Sequence, residues 1–234
     1  MQELATASEA IRSMSLVYNP NWTTVYSNFL GDALTAEWAA AKTNGTSATA
    51  TVATNQLILT VGTDNDGYAG QGFGLFWKAD SGIFMESVQK YGTAITTAKM
   101  EIGLTDAIDD AGAVNDKATP TATATDFAVL CFDTDDNAEM DLISQNTSGV
   151  ATNATDVYAA FAGDTKFATI FRAQNDLVQA SIGSAVENAT AIATNGAIQG
   201  GTLVTPWWYA QNRLVTNANW TMDIEYAFVT GPTP

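Results

Sequence analysis

The alternation of apolar and polar residues near the C-terminus is the clearest pattern in the chain. Every second residue from position 220 to position 228 is apolar or aromatic, namely Trp220, Met222, Ile224, Tyr226 and Phe228. Successive side chains of a strand point to opposite faces. The pattern therefore predicts a strand with an aromatic-rich inner face and with Asp223 and Glu225 facing outward.

Two other segments carry strand signals of different kinds. Over residues 99–105, Met100, Ile102 and Leu104 alternate with charged residues or glycine, which predicts a half-buried strand. The segment 126–133 is apolar on both faces, which predicts a central strand buried on both sides.

Short strand-like runs separated by turn signals recur along most of the chain. The predicted strands are 48–52, 56–61, 72–78, 82–91, 99–105, 126–133, 138–144, 166–173, 176–183 and 220–229. Residues 53–55 form a connection of hairpin length. So many short strands at near-regular spacing predict an all-β sandwich or jelly roll.

Two segments favour helices instead. Leu4, Ala7 and Ile11 recur at helical spacing, which predicts a short helix or docking arm over residues 3–14. The alanine-rich segment 35–42 predicts a second short helix. We expect surface loops over residues 109–125 and 188–201. The predicted organisation is an N-terminal arm or short helix over 1–20, followed by a single β-sandwich domain over 21–234.

The charge balance narrows the choice of partners. The chain has 25 Asp and Glu residues against 9 Lys and Arg residues, a formal net charge of −16. Nucleic acids and anionic membranes repel such a chain, so we expect neither as a partner. The N-terminal residues lack the basic and apolar regions of a secretory signal, so we expect none, and no apolar run approaches the roughly 20 residues that span a bilayer.

The residue types that most often carry catalysis are scarce. The chain has no histidine, which removes the usual general base and the commonest zinc ligand. The single cysteine, Cys131, stands in an apolar run and is predicted to be a small buried hydrophobe. We therefore expect a protein that is not an enzyme and that needs no cofactor.

One aromatic triplet is a candidate contact site. Trp207, Trp208 and Tyr209 follow Pro206, and in an extended chain Trp207 and Trp208 point to opposite faces. An outward-facing ring would suit stacking on a sugar or anchoring a protein interface. The alternative is a strand buried on both faces.

One acidic turn is a candidate calcium site. Asp133, Asp135 and Asn137 stand at alternating positions, as in oxygen-rich calcium loops. Ala138 replaces the glycine that an EF-hand needs for its sharp turn, which excludes that motif. A looser calcium site and a solvated turn both remain open.

The order of features also resembles a known family. The residues that carry the resemblance lie towards both ends of the chain, namely Phe29–Leu34, Trp38, Val52, Leu57–Leu59 and the closing segment Met222–Val229. They resemble concanavalin A-like lectin/glucanase sandwiches over about residues 22–230. The resemblance implies a two-sheet jelly roll.

Glucanases of that family carry a Glu-x-Asp-x-x-Glu signature. Glu139 and Asp141 match its first two acidic positions, but Ser144 stands at the third. A retaining glycosidase needs two carboxyl groups, one as nucleophile and one as acid. The resemblance therefore implies that the acid/base is missing here.

The family includes enzymes, sugar-binding modules and structural proteins of bacteriophage particles. The Ala/Thr/Asn/Gly-rich composition resembles that of capsid decoration or cement proteins. We expect a non-enzymatic virion protein, made in the host cytoplasm, that binds the major capsid protein and stabilises the assembled shell. A homo-oligomer is expected, with a trimer as one option. The alternative is a carbohydrate-binding adhesin module of a phage fibre or tip that binds a cell-surface glycan.

Overall fold

The computed structural model describes the greater part of the chain beyond residue 21. The described residues are 22–30, 34, 37–39, 41–74, 76–79, 81–93, 95–108, 112–146, 152–158, 162–174, 177–195, 198, 201–213 and 219–232. The predicted N-terminal arm or helix over 1–20 lies outside them.

Within these residues the regular structure is almost entirely β. The strands are β1 (Trp22–Ser27), β2 (Lys42–Asn44), β3 (Thr49–Ala53), β4 (Gln56–Thr60), β5 (Tyr68–Gly72), β6 (Trp77–Lys78), β7 (Ser81–Tyr91), β8 (Ala98–Thr105), β9 (Val114–Asp116), β10 (Thr121–Ala122), β11 (Phe127–Asp133), β12 (Asn137–Gln145), β13 (Thr152–Tyr158), β14 (Lys166–Gln174), β15 (Leu177–Gly183), β16 (Thr190–Asn195), β17 (Leu203–Asn212) and β18 (Thr221–Pro232). A 3-10 turn, Val186–Asn188, follows β15.

The strands form two large antiparallel sheets packed face to face. We call the first the open sheet; its order is β16-β15-β14-β7-β18-β4-β3, with β1 paired to β18. We call the second the covered sheet; its order is β13-β12-β11-β8-β17-β5-β2, with β6 paired to β17. Strands β9 and β10 form a separate small hairpin. The predicted jelly-roll sandwich is confirmed.

Alternation along each strand places the core between the sheets. On β11, Leu130 and Phe132 point into this core together with Met100 of β8 and Trp208 of β17. Met222 of β18 reaches it from the opposite sheet. Burial of these side chains is the main source of the fold's stability.

Most predicted strands are confirmed to within a few residues, including the hairpin of β3 and β4. Thr54 and Asn55 join these strands with φ angles of 52° and 59°. Two successive left-handed residues are typical of the tight turn that suits the twist of a hairpin. The loop predicted over 188–201 is wrong, since β16 lies within it.

The helix predicted over 35–42 is wrong in its described part. Trp38 forms an isolated bridge with Phe73, and Lys42 begins β2. The Trp38 ring lies 4.0 Å from the Phe73 ring centroid and 5.7 Å from that of Trp208. Core packing of Trp38 therefore outweighs the helix propensity of the neighbouring alanines.

The closing strand also differs from its predicted pattern. The register shifts at a bulge between Ile224 and Tyr226, and Ala227 rather than Phe228 then points into the core. One extra residue in a strand reverses the faces beyond it. Tyr226 consequently lies on the outer side of the open sheet and not on the predicted core face.

The described residues contain no helix that is long and apolar enough to cross a membrane.

Candidate functional site

The outer face of the covered sheet is closed off by residues 112–124, which we call the cover. Val114 and Ala124 of the cover pack with Phe127, Val129 and Tyr209 into a second apolar cluster. The strand predicted over 99–105 is confirmed as β8, but all of it is buried, so the predicted half-burial is wrong. The surface loop is wrong over the described part of 109–125, where β9 and β10 pair and Val114 and Lys117 are buried. Polar groups under the cover must find their partners inside the protein.

The Glu101 carboxylate joins the cover to the sheet. It is fully buried and accepts hydrogen bonds from the backbone N–H of Ala113 (2.6 Å) and Val114 (3.0 Å). The indole N–H of Trp207 donates to it at 3.1 Å, and the Lys99 ammonium lies 2.9 Å away. A buried charge is tolerated when it is paired and hydrogen-bonded in this way.

Two glycines allow the close approaches around this carboxylate. Gly112 has a φ angle of +81°, and a Cβ there would lie 2.6 Å from a Glu101 carboxylate oxygen. A Cβ on Gly70 would lie 2.6 Å from the ring of Trp207. Both positions therefore require glycine for steric reasons.

The Lys99 ammonium also finds its partners inside the protein. Its ammonium donates to the backbone carbonyl of Val114 and lies 5.2 Å from the centroid of the Tyr209 ring. Burial, with a further contribution from the Glu101 charge, raises the pKa of the Tyr209 hydroxyl well above its usual range.

A second buried lysine, Lys117, lies in the turn between β9 and β10 of the cover. Lys117 is fully buried, and its ammonium donates to the side-chain oxygen of Asn137 and to the carbonyl of Glu139 (2.9 Å). Its Nζ lies 3.6 Å from Oδ2 of Asp136 and 4.0 Å from Oδ2 of Asp141. The cover is thus tied to β12 by polar contacts as well as to β8.

The predicted calcium ligands contact the protein's own cations. The Arg213 guanidinium donates to both carboxylate oxygens of Asp133, at 3.0 Å from Nε, and its Nε lies 3.7 Å from Asp135. Asn137 contacts Lys117. Among the described residues, no group of three or more Asp, Glu, His or Cys side chains could hold a metal ion. Calcium at this position would have to displace Arg213 and Lys117, and the calcium site stays a prediction.

The aromatic triplet is entirely internal. Trp207, Trp208 and Tyr209 are each fully buried, so the structure has the strand buried on both faces rather than the outward ring. Trp207 points under the cover, whereas Trp208 points between the sheets and donates its indole N–H to Ser87 at 3.2 Å. The triplet offers no surface for a glycan or a partner in this structure.

The segment that resembles the glucanase signature lies under the edge of the cover. Asp141 is only 1% exposed, beside Lys117, and Ser144 is also buried. Asp141 is therefore a structural member of the buried charge cluster. Cys131 lies on the same outer face and is buried, as predicted; burial raises the pKa of its thiol far above the usual range.

The outer face of the open sheet is accessible and carries a shallow pocket of about 300 Å³. Its floor is formed by β7 and β18 and its wall by the segment that follows β15. The described lining residues are Glu86, Val88, Lys166, Ser184, Ala185, Val186 and Tyr226.

The pocket combines an aromatic ring with a carboxylate. The Tyr226 hydroxyl donates to Oε1 of Glu86, which is itself only 8% exposed. Lys166 at the rim forms an ion pair with Glu225. The exposed ring of Tyr26 lies 6.3 Å from that of Tyr226 and extends the aromatic surface beyond the pocket.

The sequence did not point to this pocket. Strand alternation assigned Tyr226 to the core, and only the bulge in β18 turns its ring outward. Glu86 stands in an ordinary strand, where nothing distinguishes it from a solvated residue. It did not point to the buried charges of β8 either, since a Lys and a Glu that alternate with apolar residues are typical of a strand with one solvent-facing side.

Comparisons with known proteins identify the fold and no more. No protein-family model and no curated protein matches the sequence. Among solved structures, peanut lectin shares a TM-score of 0.63 at 9% identity, covering 91% of this chain and 98% of the lectin. Lectin II from Ulex europaeus gives 0.62 at 8% identity, over 89% and 98% of the two chains.

A lectin-like defence protein, arcelin-5 from Phaseolus vulgaris, gives a TM-score of 0.60 at 10% identity, over 92% of this chain and all of the other. At such identities the similarity concerns architecture rather than ligand. The chain has the concanavalin A-like jelly-roll β-sandwich fold seen in legume lectins.

Proposed function

We propose that the chain is a non-enzymatic binding module that takes a carbohydrate ligand in the pocket of the open sheet. The observation that carries the proposal is the pairing of the Tyr226 ring with the Glu86 carboxylate in an accessible pocket of about 300 Å³. The lectin-like architecture supports the proposal at the level of the fold, but it does not indicate where a ligand would bind.

The chemistry of the pocket suits a sugar ring. A pyranose presents an apolar C–H face, which can stack on an aromatic ring, and hydroxyls, which can donate to a carboxylate. Tyr226 and Glu86 supply these two groups side by side, and Ser184 adds a hydroxyl on the wall. The volume of the pocket is at the lower end of the range for ligand-binding pockets, so it is suited to one or two sugar units.

A binding role also agrees with the carboxylates around the pocket. Glycoside hydrolysis uses two carboxyl groups that flank the scissile bond. Of the described residues that line the pocket, Glu86 is the one carboxylate. The pocket therefore supplies one polar anchor but not the acid and nucleophile of a hydrolase.

The test is a glycan array followed by calorimetry of the strongest ligand with the full chain. Tyr226→Ala should weaken binding about tenfold or more, since aromatic contacts contribute roughly 1–2 kcal/mol. Tyr226→Phe should retain most of the stacking. Phe76→Ala, which removes an exposed aromatic ring outside the pocket, is the matched control. Binding that is unaffected by Tyr226→Ala, or no glycan binding at all, would refute the proposal.

The second candidate is a virion decoration protein that binds the assembled shell. It is supported by the family resemblance in the sequence and by the charge distribution. The formal net charge is −16, and the buried lysines Lys99 and Lys117 have buried carboxylates beside them, so a large negative charge remains for the surface. A strongly acidic surface would complement basic patches on a shell protein and guide its docking.

This candidate is tested by size-exclusion chromatography with light scattering, with the protein alone and mixed with phage-like capsid shells. A defined oligomer that co-elutes with shells and raises their melting temperature would support it, because a ligand that prefers the assembled state stabilises that state. A monomer that does not bind shells would eliminate it. Glycan binding and shell binding are separate readouts, so each candidate can fail by itself.

A further inference from the structure

Three side chains meet at the turn between β9 and β10 of the cover in an arrangement suited to a covalent reaction. The Nζ of Lys117 contacts the side-chain carbonyl oxygen of Asn137, and Oδ2 of Asp141 lies 4.0 Å from the same Nζ. Lys117 and Asp141 are 0% and 2% exposed at their side chains. A buried amine and a buried carboxylate are therefore held beside a half-buried carboxamide.

We propose that Lys117 and Asn137 become joined by an intramolecular isopeptide bond, with Asp141 as the proton carrier. The Asp141 carboxylate first accepts a proton from Lys117, and the free amine then attacks Cγ of Asn137. The new Nζ–Cγ amide bond forms and the Cγ–Nδ2 bond breaks. The ammonium group of Lys117 loses two protons, which pass through the Asp141 carboxylate to Nδ2. Nδ2 then leaves as an ammonium ion. The reaction needs no oxidant, cofactor or other reactant.

The surroundings of Lys117 hold the amine beside its target. Its Nζ donates to the carbonyl oxygens of Glu139 (2.9 Å) and Asn137 (3.4 Å), which restrict the long side chain to one direction. Positioning of this kind replaces an encounter in solution by a reaction within one molecule and is worth many orders of magnitude in effective concentration. The carboxylate of Asp136, 3.6 Å from Nζ, is a second group that can accept a proton.

The bond would change the cover from a packed segment into a covalently tied one. Lys117 belongs to the cover, and Asn137 begins β12 of the covered sheet. A cross-link between them removes conformational freedom from the unfolded chain, as a disulfide does. It would not depend on the redox state of the surroundings.

The experiment is intact-mass spectrometry of the purified full chain, followed by digestion and sequencing of the fragments. The expected mass is lower than that of the sequence by one molecule of ammonia. Digestion should yield a branched peptide that joins the segment of Lys117 to that of Asn137. Lys117→Arg and Asp141→Asn should each restore the mass expected from their own sequences.

One side reaction must be separated from the proposed bond. Asn137 could lose ammonia by forming a succinimide with its own backbone, which would give the same intact mass. A succinimide would persist in Lys117→Arg and would yield no branched peptide, and that result would overturn the proposal. Asn137→Asp provides a positive control, because the same attack on a carboxyl group would release water instead of ammonia.

The wild-type measurement decides the question even if a variant fails to fold. A full sequence mass, with unmodified Lys117 and Asn137 in separate peptides, would show that the three residues form only a buried polar cluster. A branched peptide in the wild-type chain would establish the bond directly. Unfolding the wild-type protein in denaturant before digestion leaves both outcomes unchanged, because an amide survives denaturation.

Discussion

The two outer faces of this sandwich use charge in opposite ways. Under the cover, Lys99 and Glu101 are both fully buried, and Nζ of Lys99 lies 2.9 Å from Oε1 of Glu101. On the open sheet, Lys166 and Glu225 form a pair whose side chains are 56% and 26% exposed. The first pair lies in a dry environment, where the loss of one partner leaves a buried charge. Water and salt screen the second pair. Similar residue types thus contribute to stability on one face and to surface chemistry on the other.

The largest expected difference is between Glu101→Ala and Glu225→Ala. Removing Glu101 leaves the Lys99 ammonium and the donors of Ala113, Val114 and Trp207 without their acceptor. We expect a loss of about 3–5 kcal/mol in the free energy of unfolding. Glu225→Ala should cost less than about 1 kcal/mol. Urea denaturation of both variants measures the contrast, and equal losses would show that the cover does not exclude water.

The next effect separates backbone strain from steric contact. Gly112 and Gly201 have similar φ angles of +81° and +83°, but a Cβ on Gly201 would meet nothing within 4 Å. Gly201→Ala should cost about 1–2 kcal/mol for a left-handed alanine. Gly112→Ala should cost about 1–3 kcal/mol more, because its methyl group collides with Glu101. If thermal unfolding gave the same loss for both variants, the cover would be able to move away from Glu101 at little cost.

A smaller effect concerns the opening of the cover. Cys131 lies beneath it, and burial raises the pKa of its thiol, which disfavours the reactive thiolate. A thiol reagent at neutral pH should therefore label the native protein only as fast as the cover opens or the chain unfolds. Under conditions that give the two variants the same free energy of unfolding, Cys131 should be labelled faster in Gly112→Ala than in Gly201→Ala. Rapid labelling of the wild-type chain would contradict the closed cover.

The smallest expected effect is a pH dependence at Asp106, which directly follows β8 of the covered sheet. Partial burial raises the pKa of Asp106 above that of an ordinary aspartate, although its carboxylate accepts the backbone N–H of Thr125. A raised pKa means that the folded state favours the protonated acid. The stability from this group is present below the unfolded pKa and is lost as the pH rises through the folded pKa.

The measurement for Asp106 is the melting temperature as a function of pH. Asp106→Asn keeps an oxygen acceptor without the charge, so it should melt at or slightly above the wild-type temperature at pH 7. The two proteins should converge at about pH 3, where Asp106 is protonated in both states. A variant that is less stable than wild type at pH 7 would show that the carboxylate charge is favourable in the folded protein.

Much of the fold could be predicted because strand alternation is a local property. The apolar run of β11 and the alternation of β14 mark strands within a residue or two of those observed. Strand β16 was not predicted because it lies at an edge of its sheet and its sequence has little apolar alternation. The helix predicted around Trp38 failed because the contacts of that ring with Phe73 and Trp208 come from distant parts of the chain.

The candidate sites were much harder to predict than the strands. The sequence left two alternatives open for Trp207 and Trp208, an outward contact or a strand buried on both faces, and the choice depends on whether the outer face is covered. For Glu101 and Tyr226 the sequence pattern predicted the reverse of what the structure shows. Alternation assigned Glu101 to a solvent-facing side and Tyr226 to the core. The cover buries Glu101, and the bulge in β18 exposes Tyr226.

The sequence by itself determined the class of protein: an acidic β-sandwich with a buried cysteine and no histidine. Those features follow from composition and from a period of two residues, which neighbouring positions are sufficient to express. Only the tertiary structure decided which face of each sheet meets water. That decision rests on contacts between residues far apart in the chain, such as Glu101 with Val114 and Lys117 with Asn137. Alternation assigns two faces to a strand, but it contains no information about what will pack against either of them.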